Sequence, residues 1–273
     1  MAMLDTCSVP VKSLAYLSDK RTLFVGYLRP VLAQAHAAST LVLSLDRSLS
    51  LLGDAGEIVT ESRCFLLPAG VEISMDTHDS RVLVCFLDAL GVDLAILSAR
   101  MKREVSMRGL SCYCDLDEAD ELAAQAEQWL ERRPQAEALF VWLDQWIGRA
   151  TPELEVPGDA RITRAVELIK RNHSHNDAID ELARALCLSV PRLTQLFRQI
   201  TGIPIRRYRL WHRLYVTVLG VSRGLPLNEA ALQAGFSDYA HFSRAFKSIG
   251  GINPSELLSS RSGMDIRVLM PGV

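Results

Sequence analysis

The chain has 273 residues, of which 49% are hydrophobic and 23% are charged, and its formal net charge is −2. This composition is ordinary for a globular protein with room for two modest domains. No apolar run approaches the roughly 18 to 20 residues that a membrane helix needs, so we expect no membrane association. The first residues lack the basic start and apolar stretch of a secretory signal, which predicts a cytoplasmic protein.

Charge distribution and cysteine usage narrow the class further. Residues 1–160 hold 14 Lys and Arg against 24 Asp and Glu, whereas residues 161–260 hold 14 against 7. A basic region behind an acidic one is typical of a polyanion-binding module, although a solvated basic face has the same composition. The six cysteines are scattered and form no disulfide framework, which fits a reducing compartment.

Residues from about 20 to 108 are predicted to be β structure. The short runs at 41–45 and 82–86 have the pattern of strands, and Gly53 and Gly70 mark turns between such runs. Several short strands at this spacing indicate a small sandwich or barrel.

A helical hairpin is predicted over about 117–148, followed by a linker at 151–160 that contains Pro152 and Pro157. Acidic residues stand in the first turn of the first helix, where the helix dipole favours them. The second helix starts at Pro134, and its apolar stripe must be buried against the β structure or against a second copy of the chain, two compatible arrangements. The stripe residues that we single out as candidates for a dimer interface are Leu139, Leu143, Trp146 and Ile147.

The region after the linker contains one pattern twice, at 181–198 and at 229–247. Each copy has a short helix with a small residue, a tight turn, and a second helix with an apolar inner face and a polar outer face. This arrangement is a helix-turn-helix. Ser189 and Ser237 are expected to cap the second helix of each copy, and Gly235 is expected to end the preceding helix.

The stretch Ala234–Lys247, with Gly251–Glu256 behind it and Thr201–Pro204 before it, resembles the AraC-type transcription regulators. The resemblance covers about 161–260 and implies a seven-helix, all-α domain with two helix-turn-helix units joined by a long helix, here about Ile205 to Leu219. Two positions depart from the pattern. Cys187 stands where the family has a turn glycine, which predicts strain there, and the segment after Pro254 lacks the usual aromatic residue.

The N-terminal part resembles, more weakly, the cupin-like sensor and dimerisation part of the same family. The expected fold is therefore α+β. It has a cupin-like β-barrel or sandwich with a helical hairpin at 1–150, the all-α domain with two helix-turn-helix units at 161–260, and a tail at 261–273.

The polar outer faces of the two second helices are the candidate DNA-binding residues. The family resemblance implies base contacts from Pro191, Arg192, Thr194, Gln195, Tyr239, Ala240, His241, Ser243 and Arg244. Arg can pair with guanine edges, Gln with adenine, and small or apolar groups with the thymine methyl. The residues expected at phosphates are Arg198, Arg206, Arg207 and Lys247.

No metal or cofactor is expected. His36 and His78 lack the clustered partners of a metal-type cupin and are interpreted as structural. Cys112 and Cys114 could form half of a metal site, but no second pair completes it. The cysteines expected in the core are Cys64, Cys85 and Cys187.

The sequence thus predicts a nucleoid-associated, homodimeric, sequence-specific regulator that binds double-stranded DNA and is not an enzyme. A small effector in the N-terminal domain is one expected control, and a regulatory protein partner without any metabolite is the alternative. A rival of another class is a DNA-repair alkyltransferase, which needs an activated cysteine beside a base; the sequence shows no such constellation.

Overall fold

The computed structural model describes residues 13–28, 30–148, 158–172, 179–250, 254 and 264–269. The strands of the N-terminal part are β1 Ser13–Leu17, β2 Thr22–Tyr27, β3 Val31–Ala35, β4 Thr40–Ser44, β5 Leu49–Leu52, β6 Ile58–Ser62, β7 Cys64–Leu67, β8 Glu72–Asp76, β9 Arg81–Phe86, β10 Met101–Met107 and β11 Leu110–Leu116. The helices of this part are α1 Val92–Ser98, α2 Ala119–Arg132 and α3 Ala136–Gly148.

The N-terminal strands form a sandwich. One sheet has the order β10-β11-β7-β4-β9-β2-β1, and a smaller sheet has the order β3-β8-β5-β6. Alternate residues of β4 face opposite sides, because successive side chains of a strand point away from each other. Val42 packs between the sheets with Leu51 and Ile73, whereas Leu41 and Leu43 pack on the opposite side, toward the helices. The predicted β sandwich is therefore present, and its strands continue to Leu116.

The helical hairpin α2–α3 covers the outer face of the larger sheet. The side chains offered above as a dimer interface, Leu139, Leu143, Trp146 and Ile147, are at most 2% exposed and pack with Leu14, Leu23 and other sheet residues. They fill the chain's own core and leave no surface for a second copy, which corrects that assignment. Sequence periodicity shows that a stripe is buried but not what covers it.

Helix α1 lies inside the region predicted to be all β. Its Asp93 is 2% exposed and accepts from the Arg21 guanidinium of β2's leading turn, with Arg21 Nη2 2.6 Å from Asp93 Oδ1. Asp88 Oδ1 accepts from the Asp93 amide at 2.7 Å, which satisfies an otherwise open donor at the helix start. Seven residues are too few for a periodic signal, so the sequence could not reveal this helix.

The described C-terminal helices are α4 Ala160–Arg171, α5 Ile179–Ala185, α6 Val190–Thr201, α7 Ile205–Ser222, α8 Leu227–Gln233 and α9 Tyr239–Gly250. They confirm the two helix-turn-helix units, α5–α6 and α8–α9, and the long joining helix α7. A seventh helix would fall after α9, where only Pro254 is described, in helical conformation.

The predicted tail contains a strand, β12 Met264–Val268, which pairs in parallel with β1 at the edge of the larger sheet. The last described segment of the chain is therefore part of the N-terminal sheet. Sequence alone gave no indication of this pairing, because its two strands are some 250 residues apart.

Candidate DNA-binding surface

The first helix-turn-helix unit turns at Cys187, whose φ is +54°. The Leu188 amide donates to the Ala183 carbonyl at 2.9 Å, and the Cys187 amide donates to the Arg184 carbonyl at 3.1 Å. This pair of bonds ends α5 with a left-handed residue, as glycine does at many helix C-termini. The expected departure from the family's glycine is thus accommodated by a cysteine in a conformation that costs a non-glycine residue free energy.

The second unit repeats the same turn with a glycine. The Phe236 amide donates to the Ala231 carbonyl at 3.1 Å, and the Gly235 amide donates to the Leu232 carbonyl at 3.0 Å. Gly235 has φ +93°, which confirms its predicted place at the end of the preceding helix. The two turns are therefore equivalent in backbone hydrogen bonding.

The helix caps differ between the units. The Ser189 hydroxyl accepts from the Arg192 amide at 3.4 Å, so the predicted cap of α6 is confirmed. In the second unit Asp238 Oδ1 accepts from the His241 amide at 2.6 Å, while Ser237 donates to Asp238 Oδ2. The prediction of Ser237 as the cap is wrong, because α9 begins one residue later and the carboxylate stands directly before it.

The hydrogen bond from the His241 amide lowers the pKa of Asp238, and the hydrogen bond from the Ser237 hydroxyl lowers it by a smaller amount. The carboxylate is thereby held charged at the positive end of α9, where the helix dipole favours an anion.

The inner faces of α6 and α9 are buried as predicted. Leu193 and Phe197 on α6 and Phe242 on α9 are 0% exposed, and Phe246 packs with Phe242 at a ring-centroid distance of 5.7 Å. This burial leaves one polar face free on each helix.

The free faces carry the predicted DNA-binding side chains. The exposed ones are Pro191, Arg192, Thr194, Gln195, Arg198, Arg206, Tyr239, Ala240, Arg244 and Lys247, and the half-buried ones are His241 and Ser243. Arg192 Nη1 donates to Gln195 Oε1 at 3.0 Å, which orients the two side chains together on α6. Both helices thus present hydrogen-bonding groups to solvent, as contact with the edges of base pairs requires.

Arg207 differs from the other expected phosphate ligands. Its guanidinium donates to the backbone carbonyl of Ala35, at the end of β3, and its side chain is half-buried. In this conformation Arg207 is engaged by the N-terminal sandwich instead of facing solvent. The sequence does not reveal this contact, because Ala35 contributes only a main-chain oxygen.

A cleft of about 420 Å³ lies where the two parts of the chain meet. Val216 and Leu219 of α7 contribute apolar wall, and Lys170 and Arg171 of α4 contribute cationic groups. On one side Lys170 Nζ lies 3.0 Å from Asp19 Oδ2 in the turn between β1 and β2. The cleft therefore joins apolar and positively charged surfaces across the domain boundary.

Tyr215 also lines this cleft, and its hydroxyl is buried with no hydrogen-bond partner among the described residues. Burial raises the pKa of Tyr215 to about 12, so the hydroxyl keeps its proton near neutral pH. Buried polar groups are nearly always paired, so this unpaired hydroxyl in the cleft wall is a candidate hydrogen-bonding group for a bound molecule.

The cysteines and histidines are mostly structural. Cys64, Cys85, Cys112 and Cys114 are buried, whereas Cys187 is exposed, so its predicted place in the core is wrong; it occupies a turn. Burial raises the pKa of Cys112 to about 11 and that of Cys85 to about 12. Within the described residues no group of three potential metal ligands comes together.

Burial lowers the pKa of His36 to about 4, with a smaller effect of Arg207. His78 contacts the Ser50 hydroxyl at 2.8 Å. His36 also packs against Phe86 of β9, at a ring-centroid distance of 5.6 Å, so each histidine has a contact within the β sandwich. None of the helices in the part of the chain described by the structure has the length and apolarity needed to span a bilayer.

Comparison with known proteins supports the geometry of the C-terminal region. A family profile described as a helix-turn-helix domain matches residues 182–260. The arabinose operon regulatory protein of Salmonella typhimurium is 37% identical over 106 residues, which are 38% of this chain and 37% of the relative. Its Escherichia coli counterpart is 34% identical over 117 residues, covering 42% and 39%. Each match therefore spans less than two fifths of the curated relative.

Solved structures extend the likeness to the N-terminal part. A structure of ToxT from Vibrio cholerae covers 88% of this chain and 98% of its own, with 14% identity and a TM-score of 0.54. A fatty-acid-bound ToxT covers 97% and 99%, with 16% identity and a TM-score of 0.53. At this identity the likeness concerns the fold alone, a β-rich part followed by paired helix-turn-helix units. With the sequence matches to the arabinose regulators, it shows that the chain is similar to AraC-type transcription regulators in the sequence of its helix-turn-helix region and in its fold.

Proposed function

We propose that the chain is a transcription regulator that binds specific duplex DNA sequences by placing α6 and α9 in successive major-groove segments. The observation that carries this proposal is the repetition of one capped helix with a buried apolar face and an exposed polar face. Successive segments on one side of B-DNA lie about 34 Å apart, so a single chain reads a site without palindromic symmetry.

Base recognition is assigned to the exposed side chains near the N-termini of the two helices. Arg192 and Arg244 have the donor geometry for guanine, and Gln195 matches adenine. Ala240 and Pro191 offer apolar contact to a thymine methyl. Thr194, Tyr239, His241 and Ser243 supply further hydrogen-bonding groups on the same faces.

Phosphate contacts are assigned to Arg198, Arg206 and Lys247, which are exposed. Such contacts position the protein and contribute affinity without sequence information. The net positive charge of residues 161–260 supports this assignment.

Variants in the full chain test the two classes of contact. Arg244→Ala is expected to lose about 1–3 kcal/mol for the preferred site and to relax preference at one position. Lys247→Ala is expected to weaken binding to all sequences alike and to reduce the salt slope by about 1. Arg47→Ala, an exposed arginine of the β sandwich, is the matched control and leaves binding unchanged. Equal loss on all sequences for Arg244→Ala would contradict its assignment to a base.

A homodimer remains part of the proposal, with an interface outside the buried stripe of α3. Paired sites on DNA would then be bound by two chains with added avidity. Sedimentation of the full chain measures this directly: a dimer is expected at micromolar concentration, and a strict monomer contradicts it.

A small effector is the control that we favour, and we place it in the cleft between the two parts of the chain. ToxT is known in complex with an unsaturated fatty acid and with (E)-4-(8-methylnaphthalen-1-yl)but-3-enoic acid. The cleft's apolar wall, its three cationic groups on Lys170, Arg171 and Arg223, and the Tyr215 hydroxyl suit an amphipathic carboxylate.

Thermal unfolding with decanoate, and with decanol as the uncharged control, tests this placement. A ligand that prefers the native state raises its stability. Decanoate is expected to raise the unfolding temperature of the wild type more than decanol does, and Lys170→Ala is expected to remove the difference. No stabilisation by any carboxylate would favour control by a protein partner.

The alkyltransferase alternative requires a nucleophilic thiol, and burial raises the pKa of Cys64, Cys85 and Cys112, which disfavours the thiolate. Incubation with methylated DNA followed by mass spectrometry tests it. We expect every cysteine to remain unmodified.

A further inference from the structure

Strand β12 ties the end of the DNA-binding region to the N-terminal sandwich. Its residues pair with β1 in parallel register from Ser13 opposite Met264 to Leu17 opposite Val268, and the Leu269 amide donates to the Leu17 carbonyl at 2.8 Å. Because β12 follows the second helix-turn-helix unit in the chain, this pairing closes a connection between the two parts.

The two faces of β12 contact different parts of the molecule. On one face, Arg267 Nη1 donates to the Pro134 carbonyl at 2.9 Å, and Asp265 Oδ2 lies 3.3 Å from Arg133 Nη1. These partners lie in the connection between α2 and α3. The alternate residues on the other face pack against the apolar core that contains α7: Met264, Ile266 and Val268. Strand β12 therefore extends the larger sheet and packs against α7, the helix that joins the two units.

A second contact between the two parts brings α6 close to the sandwich. Gly70 and Gly202 both have positive φ, and a Cβ on Gly70 would lie 2.9 Å from the Gly202 carbonyl oxygen. Two glycines facing each other permit an approach that side chains would prevent. This contact and the pairing of β12 hold the same docked arrangement, in which Arg207 donates to Ala35.

We propose that β12 is a detachable clamp that keeps the DNA-binding region docked and Arg207 withheld from the DNA backbone, so that release of β12 strengthens DNA binding. This inference rests on the proposed DNA-binding function. Docking leaves the base-reading faces exposed, so it lowers affinity without blocking recognition.

The clamp is suited to detachment. All five residues of β12 are partly exposed, and the strand lies at the edge of the sheet, paired on one side only. Parallel pairing is slightly less stable per residue than antiparallel pairing. Edge elements with few buried contacts open locally at a lower free energy than the core. Strand β12 can therefore leave while the sandwich and the helices stay folded.

The test uses Arg267→Pro in the full chain, which removes an amide that faces β1 within β12, on the same side as the Leu269 amide. Binding to a duplex of random sequence is measured by fluorescence anisotropy across a range of salt concentrations. We expect the variant to bind on the order of tenfold more tightly, the contribution of one charged hydrogen bond. We also expect its salt slope to steepen by about 0.9, the value for one added phosphate contact.

Arg207→Ala separates the withheld arginine from a general loosening of the chain. It is expected to cost more affinity in the Arg267→Pro background than alone. Its exposed neighbour provides the control, since Arg206→Ala is expected to cost the same in both backgrounds. Equal costs for Arg207→Ala in the two backgrounds would overturn the proposal.

Arg267→Ala is the milder variant, for use if the proline disturbs folding. It is expected to raise hydrogen exchange at the β1 and β12 amides and to shift binding in the same direction by a smaller factor. Unchanged or weaker DNA binding with β12 released, as judged by that exchange, overturns the clamp while leaving the DNA-binding function intact. A wild type that binds no duplex at low salt overturns both.

Discussion

In the first helix-turn-helix unit, Cys187 makes the turn and Ser189 caps α6, whereas in the second Gly235 makes the turn and Asp238 caps α9. Both turns nevertheless close with the same two backbone hydrogen bonds. The bond that spans more residues ends at the carbonyl of Ala183 in the first unit and of Ala231 in the second. The backbone pattern and the buried aromatic face are therefore the constant features of the unit. The turn and cap residues vary within what the backbone allows, and this difference can be measured.

The largest expected effect concerns what the units share. Phe197→Ala and Phe242→Ala each remove a ring that is 0% exposed. Each is expected to lower the free energy of unfolding by about 3–5 kcal/mol, because the cavity cannot collapse fully. Urea denaturation measures both values. A loss below about 1 kcal/mol in either unit would mean that its helix is not anchored by this face.

The turns should respond in opposite directions. Gly235→Ala places a Cβ at φ +93° and is expected to cost about 1–2 kcal/mol. Cys187→Gly relieves the same kind of strain but adds freedom to the unfolded chain, so a net change of about 0.5 kcal/mol or less is expected. Thermal unfolding of both variants checks this. Two losses of the same size would show that the first turn is unstrained.

The cap of the first unit should contribute less. Ser189→Ala removes the acceptor for the Arg192 amide and is expected to cost about 1 kcal/mol. Ser237→Ala is the matched control in the second unit, where the serine is not the cap, and its cost should be smaller. If the two serines contribute equally, the assignment of the cap to Asp238 fails.

The smallest expected effect separates the caps by pH. The pKa of Asp238 is lowered in the folded state, so its stabilisation is present above the unfolded value and is lost as the pH falls through the folded value. The difference in stability between the wild type and Asp238→Asn should therefore shrink on acidification below about pH 4. The difference for Ser189→Ala should stay constant, since a hydroxyl does not titrate there. Parallel pH profiles for the two variants would contradict this.

The helix-turn-helix units could be predicted from sequence because their signal is local. The repeat at 49 residues fixes the buried positions Leu193 and Phe242, and the polar faces follow by elimination. The turn at Cys187 could also be predicted, because Cys187 stands where the family has its turn glycine. A helical period of 3.6 residues can be recognised in the sequence without knowledge of the rest of the fold.

The remaining features depend on contacts between distant residues. The apolar stripe that contains Trp146 has the same sequence pattern whether the β sheet or a second chain covers it. The engagement of Arg207 depends on the Ala35 carbonyl, and the strand after Met264 depends on the free edge of β1. Such pairings leave no mark in the periodicity of either partner, and here only the three-dimensional structure reveals them.

The central claim is that α6 and α9 read adjacent major-groove segments of one duplex. Selection of bound sequences from a random duplex pool with the full chain tests it most directly. The account predicts an enriched site with two sequence elements about 10 base pairs apart, one lost in Arg192→Ala and the other in Arg244→Ala. Enrichment of a single element that neither variant changes, or no enrichment at low salt, would contradict it.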